Sequence, residues 1–262
     1  MTFRLAVIGG GNMGAALVGG LLGAGWAAAD LAIVEVLPAR VDELRTMFPG
    51  VALSTDLPAC EAALVAVKAY DVPAACTAAV AAGAKRLLSI AAGVSIATLQ
   101  RAAGAGVAVV RSMPNTPALV GKGAAGIAGG QSATAADLDW ADSILGSVGT
   151  VVRVPEAQLD AVTGLAGSGP AYIFLVAEAL IDAGVLAGLS RANSEALVTQ
   201  LLVGSAALLA DRGNPAQLRS NVTSPGGTTA AGLRALEDHA VRAAFIDAVV
   251  SATARSVELG AK

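Results

Sequence analysis

Through residues 1–155 the chain alternates short apolar, β-rich runs with longer alanine-rich stretches. The runs at residues 4–9, 31–36, 62–68, 86–89 and 107–112 read as strands. The stretches at 13–23, 38–47, 72–82 and 96–103 read as the helices between them. Two further strand-like runs, 123–128 and 151–154, flank a helical stretch at 135–145 and extend the sheet. Strand and helix in alternation predict an α/β fold with a doubly wound, Rossmann-like parallel sheet covered on both faces.

After Pro155 the β-branched runs give way to helical patterns at 171–187, 190–212 and 228–259, the last with a break near His239. The chain therefore divides into an α/β domain over residues 1–155 and an all-helical domain over residues 156–262. The second of these helices carries Leu197, Leu201, Leu202, Leu208 and Leu209 around Ala206 and Ala207, so it is apolar on more than one face. A lone surface helix has no use for that, and a second copy of the chain in a symmetric homodimer would cover it.

Composition narrows the class. Hydrophobic residues reach 55 %, but Ala and Gly inflate that figure without the transfer energy that a spanning helix needs. Residues 5–29 come nearest to a leader or span, with Arg4 in front and Asn12 as the only strongly polar side chain. Their glycines weaken an insertion helix by roughly 1 kcal/mol each relative to Ala. The expectation is a soluble, cytoplasmic protein with no membrane partner. A net charge of −3 with four scattered lysines offers no basic cluster for nucleic acid. Cys60 and Cys76 lack the companions of a zinc site or a disulfide framework, so no metal is expected.

Chemistry enters at the end of the first strand. Gly9, Gly11 and Gly14 form G-x-G-x-x-G running into a helix with Asn12 and Met13 at its start. The first glycine turns the chain, the second lets the backbone approach a pyrophosphate, and the third packs helix against strand. The pyrophosphate meets unpaired N–H groups at the helix N-terminus. Glu35 follows about 20 residues on, the place of a side chain that holds the ribose hydroxyl of NAD, whereas Arg40 suits the 2′-phosphate of NADP. A nicotinamide coenzyme is the expectation, with a flavin as the lesser alternative.

Five later stretches carry more. Val67-Lys68, Ala91-Ala92-Gly93, Arg111-Ser112-Met113-Pro114-Asn115-Thr116-Pro117, Gly167-Ser168-Gly169-Pro170-Ala171-Tyr172 and Ser224-Pro225-Gly226-Gly227-Thr228-Thr229 stand in the order of the motifs of pyrroline-5-carboxylate reductases, which the chain resembles over nearly its whole length. The resemblance implies reduction of pyrroline-5-carboxylate to proline with NADP(H) or NAD(H), and a helical dimerisation domain with further assembly of dimers in many members. It also implies that Val67, Lys68, Ala91, Ala92 and Asn115 line the coenzyme, and that Asn221 reaches it from the second domain. Glu156, Ser224, Gly226, Gly227, Thr228 and Thr229 would face the substrate. The chain departs from the family in having Ala69 where Val-Lys-Pro is usual. It also has Glu35-Val36 where many members carry hydroxyl residues suited to a 2′-phosphate, which opens NADH use.

The 224–229 loop feeds a helix, and the N–H groups of Gly227, Thr228 and Thr229 would form an anion site for a substrate carboxylate. A glycine turn with a simple N-cap is the plainer reading of the same residues. Imine reduction asks mainly for orientation and a proton at nitrogen, so Thr229 is the expected catalytic hydroxyl. His239 reads as a solvated cation and Tyr172 as packing. No lysine lies between Pro155 and Gly213, which disfavours a 3-hydroxyacid dehydrogenase with a lysine in the first helix of its second domain. Reduction of another cyclic imine and a non-catalytic coenzyme-binding sensor are the remaining alternatives.

Overall fold

A computed structural model describes residues 2–260. Eight strands form one sheet: β1 (Leu5–Ile8), β2 (Leu31–Val34), β3 (Ala52–Ser54), β4 (Ala62–Val65), β5 (Arg86–Ser89), β6 (Ala108–Met113), β7 (Gly123–Gly129) and β8 (Gly149–Arg153). Their order is β3-β2-β1-β4-β5-β6-β7-β8. The connecting helices are α1 (Asn12–Gly23), α2 (Pro38–Met47), α3 (Val72–Ala81), α4 (Ile96–Ala103) and α5 (Ala135–Leu145). All pairings are parallel except β6 with β7. The expectation of a parallel sheet is corrected there for a geometric reason. The link from Met113 to Gly123 is shorter than the dozen or so residues a parallel crossover needs.

Two apolar layers clothe the sheet. On one face Leu17, Val18 and Leu21 of α1 pack with Leu44 of α2 and with Trp140 and Ile144 of α5. On the other, Val72, Cys76 and Ala79 of α3 pack with Leu99 and Ala103 of α4. Leu5 and Val7 with much of α1 are buried in the first of these layers and Ala6 and Ile8 in the second, so the stretch that resembled a leader is strand and core helix. Cys60 and Cys76 are buried and unpaired, as expected. Burial pushes both thiols up, that of Cys76 to about 11. The neutral Cys76 thiol therefore favours the fold fully below 9.0, its ordinary value, and that contribution declines as pH rises to about 11. Denaturant midpoints should fall over this window in the native protein and fall less in Cys76→Ala.

The boundary between compact units differs from the expected break at 155. The first unit is Met1–Ser168 with Val250–Lys262, and the second is Gly169–Val249. The short helix α6 (Leu159–Val162) explains the shift, because Leu159 is fully buried and, with Val162, fills the space beside Gly126 of β7. A π-turn over Thr163–Gly167 follows, closed by Ser168 N–H donating to the Thr163 carbonyl.

The second unit contains α7 (Gly169–Leu186), α8 (Arg191–Arg212), α9 (Pro215–Asn221), α10 (Thr228–Asp238) and the start of α11 (Val241–Gly260). Where α7 meets α8, a side chain at Gly184 would stand 2.7 Å from the buried Ser194 hydroxyl, so glycine sets the approach. No residue of α7 is buried, and Phe174, Leu175, Leu186, Leu197 and Leu201 are all exposed. By length and composition Glu156–Leu186 is apolar enough to cross a membrane. The expected break near His239 is present, with Ala240 in a left-handed conformation between α10 and α11.

Candidate active site

Because β1, β2, β4 and β5 run parallel, the loops that follow them gather at one edge of the sheet. From β1 the chain continues to β2 on one side, while β4 lies on the other, which makes the crevice between β1 and β4 the place where such sheets bind dinucleotides. Gly9 leaves β1 at a φ of 104°, and a side chain there would meet the Ala66 carbonyl oxygen at 2.5 Å. Gly14 presses on the Gly9 carbonyl so closely that no Cβ fits. Gly11 is the extended N-cap of α1, with no side-chain cap on the helix and open space in front of it. The amides beginning with Asn12 and Met13 are thus unfilled by side chains and suit a pyrophosphate.

Glu35 sits one residue past β2 rather than in it. One carboxylate oxygen accepts from Gly10 N–H at 3.1 Å and the other from the amides of Val36 and Leu37 at 2.8 and 3.0 Å. Arg40 donates to the Gly10 carbonyl at 2.7 Å and to Glu43 at 2.6 Å. The acid and the glycine loop are therefore one bonded unit, and Arg40 already has an acidic neighbour. On the β4 side Val67 lies beside Gly9, while Lys68 is exposed and opens a single 3₁₀ turn. After β5, Ala91 is buried and Ala92 exposed. Gly9, Gly11, Gly14, Glu35, Val67, Lys68, Ala91 and Ala92 thus follow the strands at this edge.

Two of the expected site residues are placed differently. Asn115 is buried, its amide donating to the Ala166 carbonyl and its oxygen accepting from Ala124 N–H. It ties the π-turn to β7. Glu156 accepts from the Ile96 amide at 2.6 Å and from the guanidinium of buried Arg111 at 3.1 Å, both on one carboxylate oxygen, so that oxygen is tied to the first unit while the side chain stays partly exposed. Sequence reading missed this bonding because its partners lie 60 and 45 positions away.

In the second unit Ser224, Pro225, Gly226 and Gly227 form a turn closed by Gly227 N–H donating to the Ser224 carbonyl, with Gly226 at a φ of 70°. The Gly227 amide is therefore engaged, which corrects the expected anion site. What remains are the amides of Thr228 and Thr229, at the start of an α10 that has no side-chain cap. Asn221 ends α9 and accepts from Gln217 within that helix. His239 is exposed at the C-terminus of α10, bonded to the Ala235 carbonyl. Among the described residues no cluster of His, Cys, Asp and Glu could hold a metal ion.

The sheet order, the glycine loop and the acid behind it define a dinucleotide-dependent oxidoreductase fold with a helical appendage. Residues 4–93 match the family described as NADP oxidoreductase, coenzyme F420-dependent, and residues 156–259 match pyrroline-5-carboxylate reductase dimerisation. The pyrroline-5-carboxylate reductase of a Synechocystis species is 43 % identical, covering 100 % of both chains. That of Mycobacterium tuberculosis is 42 % identical over 98 % of this chain and 96 % of its own. Among solved structures, the Coxiella burnetii enzyme superposes with a TM-score of 0.92 at 32 % identity over 99 % of both chains. The Plasmodium falciparum enzyme, solved with NADP bound, does so at 0.83 and 31 % over 98 % of both. The chain belongs to the pyrroline-5-carboxylate reductase family.

Proposed function

We propose that the protein reduces 1-pyrroline-5-carboxylate to L-proline, the closing step of proline biosynthesis, with NAD(P)H as hydride donor. The end-to-end likeness to reductases of that name carries the reading. When bound, the coenzyme supplies the hydride. The residues for holding it are those at the first unit's sheet edge: Gly9, Gly11, Asn12, Met13, Gly14, Glu35, Val67, Lys68, Ala91 and Ala92. The Thr228 and Thr229 amides take the substrate carboxylate, with a dipole contribution of about 0.3–2 kcal/mol. The Thr229 hydroxyl bonds the ring nitrogen and directs the proton to it. Oxidation of NADH or NADPH followed by absorbance on adding pyrroline-5-carboxylate tests the assignment. Coenzyme binding without turnover would leave a sensor instead.

NADH is the preferred donor in this reading. Glu35 is braced by three amides, Arg40 is paired with Glu43, and Val36 and Leu37 bring no hydroxyl, so a 2′-phosphate would meet net negative charge. We expect kcat/KM for NADH to exceed that for NADPH by about tenfold, about 1.4 kcal/mol of like-charge penalty. A ratio below one would hand the phosphate to Arg40.

A symmetric homodimer is the proposed minimal assembly, with a higher oligomer of dimers open to it. The matched dimerisation family and the bare apolar face of α7 support a second copy, rather than lipid or nucleic acid, as the cover. A cytoplasmic location is part of the same proposal.

A further inference from the structure

The loop that carries Ala91 and Ala92 runs from the end of β5 to the start of α4, and its far end is tied down by a chain of polar contacts. Glu156 caps α4 from outside by accepting from Ile96 N–H, and the same oxygen accepts from Arg111. Arg111 stands on β6 and is buried, so its charge requires a partner. Its second terminal nitrogen lies 3.9 Å from an Asp160 oxygen, which in turn accepts from the buried Ser256 hydroxyl of α11 at 2.6 Å. The last turn of α11 abuts the loop from the other side. Gly93 has a φ of 76°, and a side chain there would touch the backbone of Leu259 and Gly260 at 3.9–4.0 Å. A cavity of about 390 Å³ lies between these elements, lined by Gly93, Ser95, Arg111, Glu156, Asp160 and Gly260.

We infer that Glu156 is a positioning residue for the coenzyme, holding the 91–95 loop in place through Ile96 and Arg111, and is not a contact for the imine acid. Three facts converge on this. One carboxylate oxygen takes two donors of the first unit, its partner Arg111 has no other charge closer than Asp160, and the capped helix begins directly after the loop. Both donors meet the same carboxylate oxygen, so the carbonyl oxygen of a Gln at 156 would still accept from them but would leave the buried guanidinium without its nearest countercharge. The anchor on the α4 side would then weaken to neutral-acceptor hydrogen bonds, beside the contact of Gly93 with α11.

This inference rests on the reductase reading for the identity of the coenzyme, and the test separates the two. In Glu156→Gln the dissociation constant for NADH, measured by coenzyme fluorescence without substrate, should rise about tenfold, the effect of one charge-assisted hydrogen bond made neutral. The KM for pyrroline-5-carboxylate should move less than about twofold. Hydrogen exchange at residues 91–96 should quicken in the same variant. If Glu156→Gln does not fold, Ser256→Ala breaks only the outer contact and should show the same split at smaller size. A raised substrate KM with NADH binding unchanged would overturn the inference and make Glu156 a substrate contact; unchanged NADH binding and exchange would make it a bystander. Absence of turnover in the native protein would sink the reductase reading while leaving the fluorescence and exchange arms to decide the role of Glu156.

Discussion

Gly14→Val is expected to lose most coenzyme binding while the rest of the fold survives. In the native chain the space where a Cβ would stand at Gly14 is taken by the Gly9 carbonyl, a backbone atom that cannot rotate away. Relief requires α1 to move off β1 or the 9–11 loop to open, and either movement carries the unfilled amides of α1 away from the pyrophosphate. Overpacking of this kind costs about 1–3 kcal/mol, which as lost affinity is a weakening of about five- to 150-fold. Titration of coenzyme fluorescence measures it, and circular dichroism checks that helix content is kept. Gly23→Ala, at the far end of α1 from the coenzyme, is the control, since a side chain there meets nothing within 4 Å. Equal losses in both variants would show that the glycine spacing does not act through this approach.

Thr229→Ala should lower turnover by about a hundredfold, the lower end of what a positioned proton-directing group contributes, with NADH binding essentially unchanged. The argument is local to α10. Gly227 donates to Ser224 and is no longer available, so the anion site narrows to Thr228 and Thr229, with Thr229 half-buried and Thr228 exposed. The substitution removes a hydroxyl and keeps the amide, so carboxylate binding should persist while proton delivery fails. Thr229→Ser should restore most of the rate. Unchanged turnover in Thr229→Ala would remove the catalytic role and leave this loop a simple helix start.

Much of the scaffold was legible in the residues. The helices at 38–47, 96–103 and 135–145 and the strand at 86–89 match the structure end for end, because each is bounded by a local signal: Pro38 at a first helical turn, Ser95 and Thr134 as caps, turn residues around the strand. The glycine fingerprint was equally local. What escaped was short or non-local. β3 has three half-buried residues, too few to show a period. α9 was missed although Asn214 followed by Pro215 is a cap with proline at the first helical position, a signal that was there to be read.

Sequence alone thus settled the coenzyme fold and the family, since these depend on spacing over a few residues and on the order of motifs. Tertiary structure alone decided that β7 runs against β6, that α6 and the end of α11 join the first unit, and that Asn115 bonds Ala166 while Glu156 bonds Ile96 and Arg111. Those outcomes hang on which groups separated by tens of residues meet in a buried space, where an arginine must find its countercharge and an amide its partners. No local pattern encodes such a meeting.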